Sequence, residues 1–412
     1  GGIGARLRAR AFRMSPHFEA RSKVAIAGYA QSAIERHADR PLGVVAIETA
    51  LRAIEDAGLQ KHQIDGFTTG SLLPTAGAHE SRDGISIVTS NWLAQQLGVN
   101  PRFASGFQGF GQLAGGVMLA VNALAAGACD YVLFHRALHN PKRGRYHGNE
   151  MKEARGALQW TAPQGYFGPL AMIGLPYNEY LQRYGASREA MAAVLVEARA
   201  NGARIPWSFW HDRPITAEDY LAARVVVDPI CVLDCDIPVD GVAAFVLTRA
   251  DRARDLPNPP VYVAGYAQGS GRRPRTPLHW PLDDIMEAGF ELARRLETSS
   301  GLSLREVDIP QLYDGFSPFI YFWLESLGLC PVGEAHRVVQ DGGIRTDGGL
   351  PILSGGGALG NGRMHGVPQM LECYLQLSRR AGERQLAKAS TALACHSSPH
   401  YGGAVLYSAE PL

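Results

Sequence analysis

Short apolar runs that end in glycine and polar residues alternate along this chain with longer stretches of helical periodicity. Residues 24–32 (VAIAGYAQS) form such a run, which is typical of a β-strand that leads into a loop. Residues 41–59 place apolar side chains at helical spacing, and Gly58 near their end predicts that a helix stops there. Strands that alternate with helices in this order predict an α/β layered fold.

The same order returns in the second half of the chain. The run VAIAGYAQS is repeated as VYVAGYAQG at 261–269, and residues 281–302 form a second helical stretch that again has a glycine near its end. After each helix come a charged linker and an acidic turn, IDGF at 64–67 and YDGF at 313–316. We therefore predict two related halves that meet at a proline-rich linker, residues 256–260.

Residues 105–126 are apolar nearly all round and rich in glycine and alanine, which predicts a closely packed helix inside the protein. Gly127 is expected to end it, and residues 129–134 (CDYVLF) to form the next strand. The start of this helix, near Phe103, would place free N–H groups and the positive end of the helix dipole deep in the protein. These groups could bind an anionic or oxyanionic ligand; a purely structural role is the alternative.

Composition narrows the class of protein. The 412 residues include 40 Lys and Arg against 39 Asp and Glu, a net charge of +1, with 46% hydrophobic and 19% charged residues. This balance excludes a disordered chain, and the near-zero charge argues against nucleic acid as the main partner. Six cysteines in so long a chain do not form a disulfide scaffold, and we expect no metal site at Cys231 and Cys235.

Neither the N-terminal residues nor the longest apolar stretch predicts a signal peptide or a membrane span. Residues 1–21 are rich in arginine but lack the apolar segment of a signal peptide, and we treat them as an N-terminal extension outside the fold. The longest apolar stretch, residues 115–134, contains Asn122 and Asp130 and is interpreted as a buried helix and strand. We therefore expect a soluble intracellular protein.

Six segments, taken in order, resemble the thiolase superfamily, in particular its thiolases of the sterol-carrier-protein type. They are FASGFQG (103–109), RYGASREAMAAVLVEARANGARIP (183–206), CDIPVDGVAAFVLT (235–248), LYDGFSPF (312–319), SGGGALGNGRMHG (354–366) and HSSPHYGGAVLYS (396–408). The resemblance implies an α/β thiolase fold, a duplicated five-layered αβαβα arrangement of two similar halves. These would be residues 22–255, including a loop domain at about 136–225, and residues 256–412.

The departures from the family's pattern bear on the chemistry. Phe103 stands where thiolases carry their nucleophilic cysteine, and a phenyl ring cannot form an acyl-enzyme. Tyr313 stands at the histidine of the family's H-D-C-F motif, and Asn361 at the histidine of its G-H-P motif. His396 falls at the second cysteine. The sequence thus looks like the steroid side-chain-cleaving aldolases of the lipid-transfer-protein type, thiolase relatives that act without an acyl-enzyme.

By this resemblance the substrate is a 3-hydroxyacyl-CoA with a tertiary hydroxyl on a steroid ring, of the 17-hydroxy-3-oxo-pregnene-carboxyl-CoA type. Retro-aldol cleavage would release a ring ketone such as androstenedione together with propionyl-CoA. A base takes the hydroxyl proton, the carbon–carbon bond breaks, and negative charge moves to the thioester oxygen. Such an enolate needs hydrogen-bond donors at that oxygen and an acid that protonates carbon.

Candidate residues for these roles lie in two segments of the second half. Tyr313 is the first candidate for proton transfer, and Asp314 is expected to orient a neighbouring group. A phenol of ordinary pKa is a poor base but a competent acid. His365 lies in a glycine-rich loop and can reach a ligand, while Asn361 could donate its amide to the thioester oxygen. A backbone hydrogen bond for Tyr313 or His365, and a turn position for Asn361, are the structural alternatives.

The turn after residue 395 holds the densest group of titratable side chains in the chain. Its candidates for catalysis are His396 and Tyr401. The groups expected to contact the bound CoA thioester are Phe103, His400, Gly402 and Gly403.

Two other functions stay open. A thiolase or acyltransferase could use another cysteine as its nucleophile, such as Cys395 beside His396. Alternatively, a non-catalytic subunit could bind an acyl-CoA or a lipid in the same pocket.

The resemblance also implies partners and a location. Such aldolases work in a complex with a small protein that combines an OB-fold with a zinc ribbon, often fused or bound to an enoyl-CoA hydratase. A homodimeric core would then give a heterotetramer. We expect a CoA thioester as substrate but no prosthetic group and no metal in this chain, no nucleic acid, no membrane span, and a bacterial cytoplasmic location.

Overall fold

The computed structural model describes residues 18–70, 87–107, 111–139, 154–156, 158–166, 168–270 and 280–412. Residues 1–17 of the predicted N-terminal extension and residues 108–109 of the FASGFQG segment lie outside the described residues. Among the described helices, none combines the length and the apolar character that crossing a membrane requires.

The described residues form eleven strands and thirteen α-helices. The strands are β1 Val24–Gln31, β2 Gly66–Thr69, β3 Phe103–Gly106, β4 Tyr131–Leu138, β5 Val225–Val227, β6 Ile230–Cys231, β7 Gly241–Arg249, β8 Val261–Gln268, β9 Ile309–Gln311, β10 Thr391–His396 and β11 Gly403–Ser408. The helices are α1 Leu42–Asp56, α2 Ser90–Leu97, α3 Leu113–Ala125, α4 Leu158–Thr161, α5 Gly168–Tyr184, α6 Arg188–Ala203, α7 Ala217–Leu221, α8 Ala250–Ala253, α9 Leu282–Ser300, α10 Phe319–Ser326, α11 Ala335–Gln340, α12 Gly357–Asn361 and α13 Val367–Leu377.

Nine of these strands form a mixed sheet whose order, apart from the edge strand β3, is symmetrical about the seam between β1 and β8. The order is β3-β2-β4-β7-β1-β8-β11-β10-β9, so the two copies of the repeated run, β1 and β8, lie side by side. They are antiparallel and joined by two residue pairs, Ala25 with Tyr262 and Ile26 with Val261. Outward from this seam, β7, β4 and β2 match β11, β10 and β9. The predicted duplication is confirmed, while the domain boundaries stay a prediction.

Three large hydrophobic cores lie between the layers of helices and strands. Helices α1 and α2 cover one face of the first half's strands, and α9 and α10 cover one face of the second half's strands. Between the halves, α3 and α13 form a third core with strands of both. The alternation along β4 shows the division, because Val132 and Phe134 face the central core and Leu133 faces the outer one. The predicted α/β thiolase fold with αβαβα layers is therefore the fold observed.

The internal repeat also places one aspartate in the same way in each half. Asp65 precedes β2 and accepts the backbone N–H of Tyr131, at the start of β4, at 2.9 Å. Asp308 precedes β9 and accepts the backbone N–H of Thr391, at the start of β10, at 3.3 Å. Each carboxylate ties together the starts of two strands. The predicted equivalence of the IDGF and YDGF turns is wrong, because IDGF leads into β2 whereas YDGF follows β9.

The inner helix begins later than predicted. Phe103 starts β3, which is parallel to β2, and α3 starts only at Leu113. Phe103 pairs with Gly66 at the amino-terminal end of β3, about 10 Å along the strand from Gly106 at the other end. Its ring is half-buried against the central core. The placement of Phe103 at the start of the inner helix is wrong, and with it the basis for a replaced nucleophile and a CoA contact there.

Helices between β4 and β7 brace the glycine-rich loop of the second half. Helix α6 approaches α12 so closely that a Cβ added to Gly202 would lie 1.9 Å from the carbonyl oxygen of Gly360. Oγ of Ser208 donates to the same carbonyl at 2.8 Å, and the N–H of Phe209 donates to that of Asn361 at 3.1 Å. The region predicted as a loop domain thus fixes the loop that carries two predicted site residues.

Candidate functional site

The predicted site residues of the second half meet at the carboxyl ends of its strands. His396 ends β10, and Tyr313 follows β9, which is parallel to β10. Because Gln311 pairs with Ala394, Tyr313 and His396 lie at the same end of the sheet. Strand β4 of the first half contributes Arg136, which contacts the glycine-rich loop here. Ligands of open α/β sheets characteristically bind at this end of the strands.

Tyr313 is a buried phenol among charged side chains. Its ring folds back over Gly315, where an added Cβ would lie 2.4 Å from the phenol oxygen. Burial, followed by the negative charge of Asp236, raises the pKa of Tyr313 well above its ordinary value, and Arg363 opposes this rise. Tyr313 therefore keeps its proton at neutral pH, and it is suited to donate a hydrogen bond or a proton rather than to act as a base.

Asp314 ties the turn that carries Tyr313 to the glycine-rich loop. Its fully buried carboxylate accepts the N–H groups of Ala358 and Leu359, at the start of α12, at 2.6 and 3.1 Å. It also accepts the side-chain amide of Gln369 at 2.8 Å. Burial raises the pKa of Asp314 to about 7, and these donors limit the rise. A carboxylate so fully engaged positions its neighbours.

His365 is held by an arginine from the other half of the chain. Nη2 of Arg136 lies 2.7 Å from Nδ1 of His365. Burial, followed by the positive charges of Arg136 and Arg363, lowers the pKa of His365 well below its ordinary value. The imidazole is therefore neutral at physiological pH.

His396 is fully buried and neutral. Burial lowers its pKa to about 3. Neither ring nitrogen has a hydrogen-bond partner among the described residues. The ring lies against Gly366, where an added Cβ would come within 2.2 Å of Nδ1. Because a neutral imidazole has one nitrogen that donates and one that accepts, this side chain is suited to bind or deprotonate a polar group.

An aromatic cluster follows His396 and reaches the start of α3. The hydroxyl of Tyr401 accepts a hydrogen bond from the side-chain amide of Gln112, which precedes α3. Trp280 stacks on Tyr401, with 6.3 Å between ring centroids, and packs edge-on against His400 at 4.5 Å. Burial raises the pKa of Tyr401 and lowers that of His400 to about 4, so neither side chain is charged at neutral pH.

Two of the predicted N–H donors are engaged inside the protein. Both amide N–H groups of Asn361 donate to carbonyl oxygens of its own loop, at 2.7 and 2.8 Å. The backbone N–H of Gly402 donates to the carbonyl oxygen of Ser398 at 2.6 Å. The predicted role of Asn361 as a donor to the thioester oxygen is therefore wrong, and the backbone N–H of Gly402 is already engaged. Gly403 begins β11 and pairs with His396, so it belongs to the sheet.

The cysteines near this site show no activation. Cys395 adjoins His396 in β10, but successive side chains of a strand point to opposite faces, and Cys395 packs in the outer core of the second half. Burial raises its pKa well above the ordinary value, as it does for the half-buried Cys235. Within the described part of the chain, no group of three or more His, Cys, Asp or Glu side chains could hold a metal ion.

Three charged residues of the site were missed from the sequence. Arg136, Asp236 and Arg363 are each at most 5% exposed. In the sequence, Arg136 follows an apolar run and precedes a basic stretch, which favours a solvated surface. One signal for Arg136 was available in the sequence, because a charged residue inside an otherwise apolar strand is costly to bury unless it has a partner or a function. For Arg363 the signal was its position two residues before His365.

Comparisons with known proteins agree with this fold. The family described as Thiolase C-terminal domain-like matches residues 284–405. A steroid side-chain-cleaving aldolase of Thermomonospora curvata is 32% identical over 357 residues, covering 84% of this chain and 88% of that protein. The 17-hydroxy-3-oxo-4-pregnene-20-carboxyl-CoA lyase of Mycobacterium tuberculosis is 32% identical over 365 residues, covering 86% of this chain and 91% of that protein.

A solved structure carries the same resemblance over the whole fold. The Ltp2-ChsH2(DUF35) aldolase superposes with a TM-score of 0.81 and 28% identity, covering 95% of this chain and 99% of that chain. The chain therefore belongs to the thiolase superfamily, among the thiolase-like steroid side-chain-cleaving aldolases, and is an aldolase, a carbon–carbon lyase built on the thiolase fold.

Proposed function

We propose that this aldolase cleaves the side chain of a steroid β-hydroxyacyl-CoA by a retro-aldol reaction that forms no acyl-enzyme. The substrate is of the 17-hydroxy-3-oxo-pregnene-carboxyl-CoA type, and the products are a ring ketone and propionyl-CoA. The functions named for the two relatives at 32% identity support this substrate class. The observation that carries the proposal is a neutral His396 without partners among the described residues, at the same end of the sheet as the proton-bearing Tyr313.

In this reaction His396 takes the proton of the tertiary hydroxyl. The oxygen then forms the ring ketone, the carbon–carbon bond breaks, and its electron pair moves to the α-carbon and the thioester oxygen. Burial alone lowers the pKa of His396 to about 3, which disfavours its protonated form. During the reaction, the negative charge of the enolate stabilises the imidazolium. A well-placed base contributes about 10²–10⁴-fold to the rate.

The enolate is stabilised at oxygen and protonated at carbon. His365 gives a hydrogen bond to the thioester oxygen, and a donor in such a place lowers the barrier by roughly 3–4 kcal/mol. Tyr313 gives its proton to the α-carbon, and Tyr401, which also stays protonated, is a further donor. The proton on His396 then returns to the phenolate of Tyr313, so the enzyme regains its starting state.

The proposal includes a partner protein. The superposed structure is named as an Ltp2-ChsH2(DUF35) aldolase, which supports a complex of this chain with a small subunit of the OB-fold and zinc-ribbon type. We further propose a homodimeric core that gives a heterotetramer, with an enoyl-CoA hydratase fused to or associated with the small subunit.

A thiolase that uses Cys395 receives no support from the site. Its thiol packs in the outer core, away from the face on which His396 lies, and its raised pKa keeps it protonated. An acyl-enzyme on Cys395 would require β10 to rotate about its axis so that this side chain faces the site.

The test is to incubate the chain, alone and with such a partner, with a tertiary 3-hydroxyacyl-CoA. Ketone and short acyl-CoA are expected in equal amounts, with no change in the mass of the intact protein. Formation of a longer or shorter acyl-CoA only when free CoA is added, or an acyl adduct on the protein, would contradict the proposal and favour an acyltransferase. Binding without turnover in either preparation would favour a carrier subunit.

A further inference from the structure

We propose that Arg136 is a positioning residue that fixes His365 in the tautomer with its proton on Nε2, so that this histidine donates a hydrogen bond and does not act as a base. The tautomer control rests on geometry alone. The next step, that the donated hydrogen bond goes to the thioester oxygen, rests on the proposed function.

The contact between the two side chains fixes the proton's position. Nη2 of Arg136 and Nδ1 of His365 are 2.7 Å apart. A guanidinium has only donors, so Nδ1 must accept and cannot carry a proton. The imidazole then has its proton on Nε2, the nitrogen that points away from Arg136.

The charges around His365 keep it neutral. Arg136 faces it from β4, and Arg363 from its own loop; the neighbouring element, β10, presents His396 against Gly366. Two guanidinium groups and a neutral imidazole disfavour a positive charge on His365. Burial lowers the pKa of Arg136 to about 10, so that side chain is still a cation at neutral pH.

Both partners are held by the fold rather than by each other. Arg136 lies within β4, where its backbone pairs with Ala243 of β7. The loop of His365 is tied down because the N–H of Arg363 donates to the carbonyl of Ile237 at 2.8 Å. His365 itself adopts φ 53°, a left-handed conformation that persists only where surrounding contacts impose it.

The consequence for catalysis is that hydrogen-bond donation and proton abstraction fall to different residues. A neutral histidine that can only donate is suited to negative charge at the thioester oxygen, whereas the base must be another group, such as His396. Loss of one such donor costs about 10²–10³ in kcat. In Arg136→Met, where His365 populates both tautomers, we expect kcat to fall by less than this factor, in proportion to the fraction that loses its Nε2–H, with little change in KM, because the contact matters more in the transition state than in the bound substrate.

The direct readout is nitrogen-15 NMR of histidine-labelled protein, full chain, between pH 6 and 8.5. The His365 signals are assigned by their absence in His365→Gln. We expect the Nε2–H tautomer throughout this range in wild type, its retention in Arg136→Lys, and a tautomer mixture in Arg136→Met. Arg199→Met is the matched control, because Arg199 is likewise buried and its pKa is lowered to about 10; it should leave the His365 signals unchanged.

The outcomes separate this inference from the proposed function. A proton on Nδ1 of His365, or titration of His365 between pH 6 and 7 in wild type, would overturn the inference whether or not the protein cleaves its substrate. An intact Nε2–H tautomer in a protein without lyase activity would support tautomer control by Arg136 while overturning the proposed function. If Arg136→Met does not fold, the spectra of wild type and Arg136→Lys still show whether His365 carries its proton on Nε2.

Discussion

Tyr313 stays protonated at neutral pH, and the proposed reaction uses it as the acid that protonates the α-carbon. We predict that Tyr313→Phe lowers kcat by about 10²–10⁴-fold, because the variant keeps the ring but removes the acid. The measurement is steady-state cleavage of a tertiary 3-hydroxyacyl-CoA, together with binding of the same ester.

The control for this substitution is Tyr407→Phe. Tyr407 is also buried, lies in the central core, and has a hydroxyl without a partner among the described residues. Its loss should leave kcat within about twofold, since no catalytic role falls on it. Unchanged turnover in Tyr313→Phe, or equal losses in both variants, would remove Tyr313 from the proposed chemistry.

The neutral state of His396 has a consequence for stability. Its pKa is about 3 in the folded protein and near 6.5 when unfolded, so between these values the unfolded chain binds more protons. The stability gained from keeping it neutral is present above pH 6.5 and is lost as pH falls toward 3. At pH 5 this loss amounts to about 2 kcal/mol.

Urea unfolding at pH 7.5 and pH 5.0 tests this prediction. We expect His396→Gln to reduce the difference in unfolding free energy between the two pH values by about 2 kcal/mol relative to wild type. An identical pH dependence in both proteins would show that His396 is charged or exposed in the folded state.

The sequence singled out several candidate residues, but it did not predict the contacts that they make. Tyr313 and His396 were singled out, and they lie at one end of the sheet. Asn361 was singled out too, but its amide closes its own loop. No local pattern distinguishes a side chain that faces a ligand from one that faces its own backbone, since this depends on how the loop is folded. Arg136 was missed for the related reason that its burial requires strands and loops distant in the sequence.

At the scale of elements, the short helix α12 depends on a close approach by Asp314. Gly357 has φ +59°, and a Cβ added there would lie 2.2 Å from a carboxylate oxygen of Asp314. We predict that Gly357→Ala both destabilises the protein and lowers kcat, because the carboxylate must move away from the N–H groups of α12 and the turn of Tyr313 moves with it. Thermal unfolding and steady-state kinetics measure the two effects.

Gly382→Ala is the matched control, because Gly382 also has φ +59° but an added Cβ meets nothing within 4 Å. It should carry only the cost of the left-handed conformation, about 1–2 kcal/mol, with unchanged kcat. Equal stability and equal kcat in the two variants would contradict the positioning role of Asp314.

Elements were predicted well where local signals agree and poorly where they conflict. Gly301 was expected to end a helix, and it caps α9 in the left-handed conformation with φ 73°. The stretch 105–126 was expected to be one helix, but β3 occupies 103–106 and α3 begins at Leu113. An apolar, glycine-rich stretch contains no local signal that separates a strand from the helix after it. The strand forms because β3 pairs with β2, which is distant in the sequence.

At the scale of the whole molecule, an ion pair between Arg380 and Asp56 joins the two halves. Arg380, after α13, makes two contacts of 2.6 and 3.0 Å with Asp56 at the end of α1, and it lies over the ring of Tyr29. Both charged side chains are partly buried, at 28% and 23% exposed. We predict that Arg380→Met lowers the unfolding free energy by about 1–3 kcal/mol, because Asp56 loses its charged donor.

The comparison variant is Arg345→Met, which removes an exposed pair with Asp347 inside one loop. Exposed pairs contribute little, so its unfolding curve should match that of wild type. If both variants unfold like wild type, the halves are not held by this pair.

The repeat in the sequence predicted the symmetry of the molecule but not its correct register. The copies of the AGYAQ run became β1 and β8 at the centre of the sheet, as two related halves require. The aspartates that correspond are Asp65 and Asp308, not Asp65 and Asp314. Asp65 and Asp314 share a local D-G-F pattern by coincidence. The difference becomes visible only in the structure, where Asp65 precedes β2 and Asp314 follows β9.

The central claim is that the carbon–carbon bond breaks to leave an enolate, which the enzyme protonates without ever bonding to the acyl group. The most direct measurement is cleavage in D₂O followed by mass spectrometry of the released acyl-CoA. A single deuterium on the α-carbon of each molecule, with no acyl adduct on the protein, is the predicted result. Acyl-CoA without that deuterium, or a thioester-linked adduct on a cysteine, would contradict the account.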